Sequence, residues 1–290
     1  MPPIKNRPVN QLYAVLSDES VRKVSMTQDI APAIRSIFIE QGNFLLTPDT
    51  TEIEFDGNYS TGEDEILYIN FTLPAYLIDA IAQPISITVL DLGKEKEPIK
   101  YIVWAEDAAG KHPVYYFQTF DSRKLLHNKH ILVYESQTYS SFQKQAFIVE
   151  ETVSAFHRNG KFYFKSYANA NKVFGLSDFY HAATDDEIDR LSKNSKVKMD
   201  SLWFQGNTNS AIRKQITLLQ KNKILDRADP KKVKDEAAAF NLQIEVKSGK
   251  IHFPNDTKVC KDILCFLNEH FYFGAITGDK LRASSHRRIP

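Results

Sequence analysis

The sequence predicts an α+β protein, with mixed or antiparallel sheets, flanking helices and two subdomains. Three observations predict it. Short runs rich in β-branched and aromatic residues end in turn dipeptides, other stretches place apolar residues at helical spacing behind a capping residue, and charge is unevenly divided along the chain. Up to Glu150 there are 13 basic and 20 acidic residues, a net of −7, whereas from Glu151 onward 24 basic residues face 16 acidic ones, a net of +8. At 290 residues the chain is long enough for two ordinary domains. They are read as an acidic N-terminal α+β domain over 1–150 and a basic C-terminal domain over 151–290.

The first domain opens with an amphipathic helix over Ile30–Gln41, where Ile34, Ile37 and Phe38 share a side. Glu52, Glu54 and Asp56 alternate with Ile53 and Phe55, the pattern of a strand with one wet face. A strand over Leu67–Phe71 follows, and Pro74 starts the next helix. Ile99–Trp104 and Val114–Phe120 read as a hairpin joined by AEDAAGKHP, and Ile131–Tyr134 and Ala146–Val149 as two further short strands.

The second domain begins with a tight hairpin, because Asn159-Gly160 separates TVSAFHR from KFYFKSY and suits a two-residue turn. Helices are expected over 169–180 and 184–192, the latter opened by the capping box of Thr184 and Glu187. Ile212, Ile216 and Leu219 mark an amphipathic helix after Asn209, and Asp229-Pro230 caps another. NLQIEVKSGKIHF alternates and turns at Ser248-Gly249, a second hairpin, before a last helix from Asp256 with Val259, Ile263, Phe266 and Leu267 inward. The terminal GDKLRASSHRRIP is polar and basic.

With 42% hydrophobic and 25% charged residues the chain can bury a full core. No run approaches the ~18 apolar residues of a membrane-spanning helix, and MPPIKNRPVNQLYAVL lacks the order of a signal peptide, so a cytoplasmic protein is expected. Cys260 and Cys265, five apart in a helical segment, are expected to be reduced thiols and not a disulfide or zinc knuckle.

The strongest chemical signal is cationic. Arg190–Lys234 holds 12 Lys or Arg against three aspartates, a net of +9 over 45 residues. Lys214 and Lys221 share a helix face with Arg213 beside them, and Lys223, Arg227, Lys231, Lys232 and Lys234 extend the run. Such a ridge neutralises backbone phosphates without reading sequence, although the same residues also suit a solvated face with no partner. Trp203 and Phe204 precede it and are expected in the core.

A metal-dependent nuclease is the competing reading. Glu245-x-Lys247 on a strand, with Asp226, Asp229 or Asp235 upstream, is a spacing that restriction-like nucleases use to hold a divalent ion. The motif is short, and Glu245 and Lys247 fall on the outward face of a hairpin. The clusters Glu63-Asp64-Glu65 and Asp185-Asp186-Glu187 lack calcium-loop spacing, and His127 and His130 have no carboxylate neighbours. No Walker loop, G-x-S-x-G or G-x-G-x-x-G occurs. No catalytic residue, metal ligand or cofactor is therefore assigned.

AFHRNGKFYFKSY followed by NANKVFGLSDFY, and later DILCFLNEHFYFGAITGDKLRASSHRRI, resemble the KwaB-like family of Kiwa anti-phage defence. PVYYFQTFDSRKLLHNKHILV is similar to the segment that precedes that pattern, so the likeness runs over residues 98–290. The chain departs from it at Phe156-His157 and Asn169-Ala170, where members often carry Phe-Asp and Phe-Glu. The resemblance implies a homodimer that binds double-stranded DNA without sequence preference. It also implies association with a KwaA-like membrane protein, a block on phage replication, and no nuclease activity. A protein-interaction module that does not touch nucleic acid is a third reading.

Overall fold

The computed structural model describes residues 10–57, 59–106, 113–126, 131–135, 138–142, 145–283 and 285–286. It divides the chain into two compact units, one of Met1–Phe55 and Thr61–Gly175, the other of Asp56–Ser60 and Leu176–Pro290. Among the described residues no helix is long and apolar enough to cross a membrane.

The first unit is an α+β layer structure on one open sheet. Its elements are β1 (Gln11–Leu16), β2 (Val21–Lys23), α1 (Ala31–Leu45), β3 (Thr51–Glu54), β4 (Glu65–Asn70), α2 (Ala75–Ala82), β5 (Ile99–Glu106) and β6 (Val114–Thr119). β7 (Ile131–Glu135), β8 (Thr138–Phe142), β9 (Ala155–Arg158), β10 (Lys161–Phe164) and α3 (Tyr167–Val173) complete it. The strand order is β2-β1-β5-β6-β9-β10-β4-β3, antiparallel except for β3 and β4, while β7 and β8 form a separate hairpin. Period-two alternation buries both faces. On one, Phe38 of α1 stacks on Trp104 with centroids 6.1 Å apart, and Gly42 passes so close to the Tyr116 ring that no Cβ fits. On the other, Tyr101, Phe117 and Phe162 surround Phe174, with ring centroids 5.1–5.5 Å away. Glu106 is buried and accepts from Trp104 Nε1 (2.8 Å) and from the Arg35 guanidinium of α1. A charged partner therefore closes the first face.

The second unit contains α4 (Asp185–Ser192), β11 (Val197–Lys198), α5 (Ser201–Asn207), α6 (Ser210–Lys221), α7 (Ile224–Arg227), α8 (Pro230–Ala239), β12 (Glu245–Lys247), β13 (Lys250–His252), α9 (Thr257–Leu267), β14 (Phe271–Phe273) and β15 (Lys280–Arg282). Its core is formed by the apolar stripes of α4, α6 and α9, including Ile188, Ile212, Ile216, Leu219, Ile263 and Leu264. Side-chain oxygens cap the helices as expected. Thr184 and Glu187 form the capping box of α4, and Asn209, Asp229 and Asp256 accept the first-turn N–H groups of α6, α8 and α9. Cys260 and Cys265 are buried free thiols, and Phe204 lies fully in the core.

Three expectations change. The units divide at Gly175–Leu176 and not at 150–151, because β9 and β10, the Asn159-Gly160 hairpin, supply two interior strands of the first unit's sheet. The helix expected over 169–180 ends at Val173, since Phe174 turns extended to enter the aromatic cluster. Ala146–Val149 makes only a single bridge, Leu125 to Phe147, and the partner of β7 is the serine-rich β8. The C-terminal stretch folds as the β14–β15 hairpin. The linker 107–112, His127, His130 and the last residues, 287–290, lie outside the described residues.

Candidate nucleic-acid interface

α6 offers only part of the expected ridge, since Lys221 is exposed and Lys214 partly so, whereas Arg213 is withdrawn. Arg213 follows the buried Ile212 at the edge of the apolar stripe, and its side chain is only 20% exposed. Its guanidinium donates to the carbonyls of Ala183 (3.0 Å) and Gln205 (2.8 Å) and pairs with Asp185 at 2.8 Å. The Gln205 carbonyl belongs to the last turn of α5, so Arg213 satisfies a helix-end acceptor and does not project into solvent. The Lys214 ammonium lies 5.4 Å from the Tyr180 ring centroid, and Lys221 donates to the Phe179 carbonyl at 3.0 Å. Lys196, another member of the cationic stretch, donates to the carbonyls of Leu225, Asp226 and Ala228 at 2.8–3.0 Å and closes the C-terminal end of α7.

Beside the exposed Lys193, Lys198 and Lys221, a group of accessible cations lies on α7, α8 and the residue before them. Lys223, in the left-handed region at φ 50°, is exposed, as are Arg227, Lys231, Lys232 and Lys234. Among the described residues none of these five forms an ion pair, and Arg227 donates one N–H to the Asn222 carbonyl (2.9 Å). Lys231 and Lys234 are three apart and share a face of α8, with Asp235 and Glu236 one turn beyond Lys231 and Lys232. A second basic surface covers the sheet β11-β13-β12, where Lys198 is level with His252 and Lys247 with Lys250.

Glu245 lies on that sheet. Its carboxylate is held by Lys247 at 2.5 Å and by His252 at 3.4 Å, and the Lys247 ammonium keeps its pKa below the ordinary carboxylate value. Asp229 is committed to capping α8, and among the described residues no three His, Cys, Asp or Glu side chains gather as metal ligands.

Near the start of α4, both ring nitrogens of His181 face acceptors, the Ser177 carbonyl at 2.7 Å and the Glu187 carboxylate at 2.8 Å. The bond to Glu187 raises the His181 pKa, because only the imidazolium can donate to both.

A groove of about 580 Å³ opens beside α8. Arg227, Lys232 and Glu236 line it together with Phe240, Phe271 and Phe273, and the rings of Phe240 and Phe273 are 4.5 Å apart. Sequence reasoning missed it, although the aromatic triplet Phe271-Tyr272-Phe273, separated by three residues from the end of α9, was the available signal.

The sequence model of Kiwa KwaB-like proteins matches residues 107–277, well over half of the chain. The chain belongs to the Kiwa KwaB-like family. Membership places it in Kiwa anti-phage defence. No curated protein and no solved structure matches it. The KwaB-like region begins after β5 and takes in every element from β6 to β14, so α7, α8 and the basic sheet lie inside it. Phe156-His157 lies in β9 and Asn169-Ala170 in α3.

Proposed function

We propose that this KwaB-like protein is a non-catalytic defence effector that binds double-stranded DNA without sequence preference through Lys223, Arg227, Lys231, Lys232 and Lys234. The observation that carries the reading is the exposure of these five cations with no ion pair among the described residues. Unpaired ammonium groups on a helix can replace the counterions of a phosphate backbone, and the gain in counterion entropy makes binding salt-dependent. Nothing in this array reads base edges, which accords with binding that ignores sequence. The family resemblance supports the remainder of the reading, a homodimer in the cytoplasm that acts with a KwaA-like membrane protein to block phage replication.

The test is titration of a fluorescent duplex at several salt concentrations with wild type and a Lys231→Glu, Lys232→Glu, Lys234→Glu variant. The variant is expected to bind at least about tenfold more weakly, with a log–log salt slope shallower by about 2 to 3. Because the three side chains are exposed, the melting temperature should stay unchanged. Equal affinity and slope in the two proteins would refute the assignment.

A further inference from the structure

The groove beside α8 has a chemistry that a bare phosphate contact does not need. Phe240 occupies its centre, with ring centroids 4.5 Å from Phe273, 5.8 Å from Phe271 and 6.0 Å from Phe266. The Arg282 guanidinium covers Phe271 at 4.9 Å. Phe273 is packed against Phe240 yet remains 46% exposed, so aromatic surface is open to the groove. The lining carries both signs, Arg227 and Lys232 on one hand and Asp229, Glu236 and Glu269 on the other; Asp229 caps α8, and the exposed Glu236 forms no ion pair among the described residues. The volume of about 580 Å³ lies within the ~300–1,000 Å³ of small-molecule sites.

We propose that this groove receives an unpaired nucleobase of a DNA strand whose phosphates lie on Lys232 and Arg227. The inference rests on the reading of α8 as the phosphate contact. An aromatic platform next to cations is how proteins hold unstacked bases, because every base offers a π face and each is followed by a phosphate. A carboxylate on the rim is of no use to a phosphate. It is an acceptor for an exocyclic amine, which cytosine, adenine and guanine carry and thymine lacks. The protein would thus favour DNA in which a base has left the stack, and favour an amine-bearing base there over thymine.

Anisotropy titrations with a perfect duplex and with the same duplex carrying one bulged base test this, the bulge being 2-aminopurine, cytosine or thymine in turn. Wild type is expected to bind the cytosine bulge about tenfold more tightly than the perfect duplex, to prefer cytosine over thymine, and to change 2-aminopurine fluorescence on binding. Phe273→Leu keeps the apolar volume but removes the ring, and should abolish the preference and the fluorescence change while leaving duplex affinity and melting temperature intact. Adenosine monophosphate is the competing arm, and competition as strong as that of the bulged strand would overturn the assignment to DNA. Equal binding of bulged and perfect duplexes by wild type, or a preference that survives Phe273→Leu, refutes the groove and leaves the α8 reading standing. Binding to neither duplex refutes both.

Discussion

At Arg213, hydrogen bonds separate a charge counted along a chain from a charge available at a surface. Its bonds to Ala183, Gln205 and Asp185 make it a bracket between three segments of the second unit, so Arg213→Ala should lower stability by about 2–4 kcal/mol in urea unfolding. Arg213→Lys should not restore it, since an ammonium cannot span the same forked geometry. A variant as stable as wild type would show the bonds to be dispensable. His270 makes a second residue-level case. It is 5% exposed, its Nε2 has no hydrogen-bond partner among the described residues, and burial, followed by His286 and Arg282, pushes its pKa down to about 4. Depression of a base's pKa means that the unfolded chain binds the proton more readily. The stability from neutral His270 is therefore present above the ordinary histidine value of ~6.5 and is lost as pH falls toward 4, by up to about 3 kcal/mol. Between pH 7.5 and 4.5 wild type should lose more unfolding free energy than His270→Leu, and equal losses would count against the account. Neither burial was legible in the sequence, because both depend on residues distant along the chain.

Among the elements, those governed by local chemistry were legible. The caps Thr184, Asn209, Asp229 and Asp256 sit at the helix starts that their spacing predicts, and Asn159-Gly160 makes its turn with both residues at positive φ. Elements set by tertiary pairing were not. β8, Thr138–Phe142, carries strand-favouring Thr, Tyr and Phe but is short and interrupted by two serines, and the end of α3 is fixed by the seat that Phe174 takes among other rings. Of the proposed interface, the cations of α8 were legible, whereas the engagement of α6 was hidden until the carbonyls around it had positions. α1 yields a prediction at the same scale. Gly42 lies against the Tyr116 ring with no room for a Cβ, so Gly42→Ala should destabilise the first unit despite the better helix propensity of alanine. A rise in melting temperature would show that the ring yields without cost.

For the whole molecule, the sign of the charge and the boundary of the fold do not coincide. The change from acidic to basic near residue 150 falls inside the first unit, whose sheet needs β9 and β10 to join β6 to β4. A fragment of residues 1–150 should therefore lack cooperative unfolding, while one of residues 1–175 should show it in circular dichroism melts. Two sigmoidal melts would mean that the sheet survives without its middle. Charge halves were a sound guide to composition and a poor one to topology, since strand order is blind to surface charge.

The short segment Asp56–Ser60 belongs to the second unit although β3 and β4, on either side of it, belong to the first. Gly57 packs there against Leu218 and Tyr180, and the Ser60 N–H donates to Ser285 Oγ at 2.9 Å. Melting the second unit alone would release this anchorage, and β3, an edge strand laddered to β4, would be left on a slack tether. In hydrogen–deuterium exchange the Ile53 amide should then lose protection before any amide of β5 or β6.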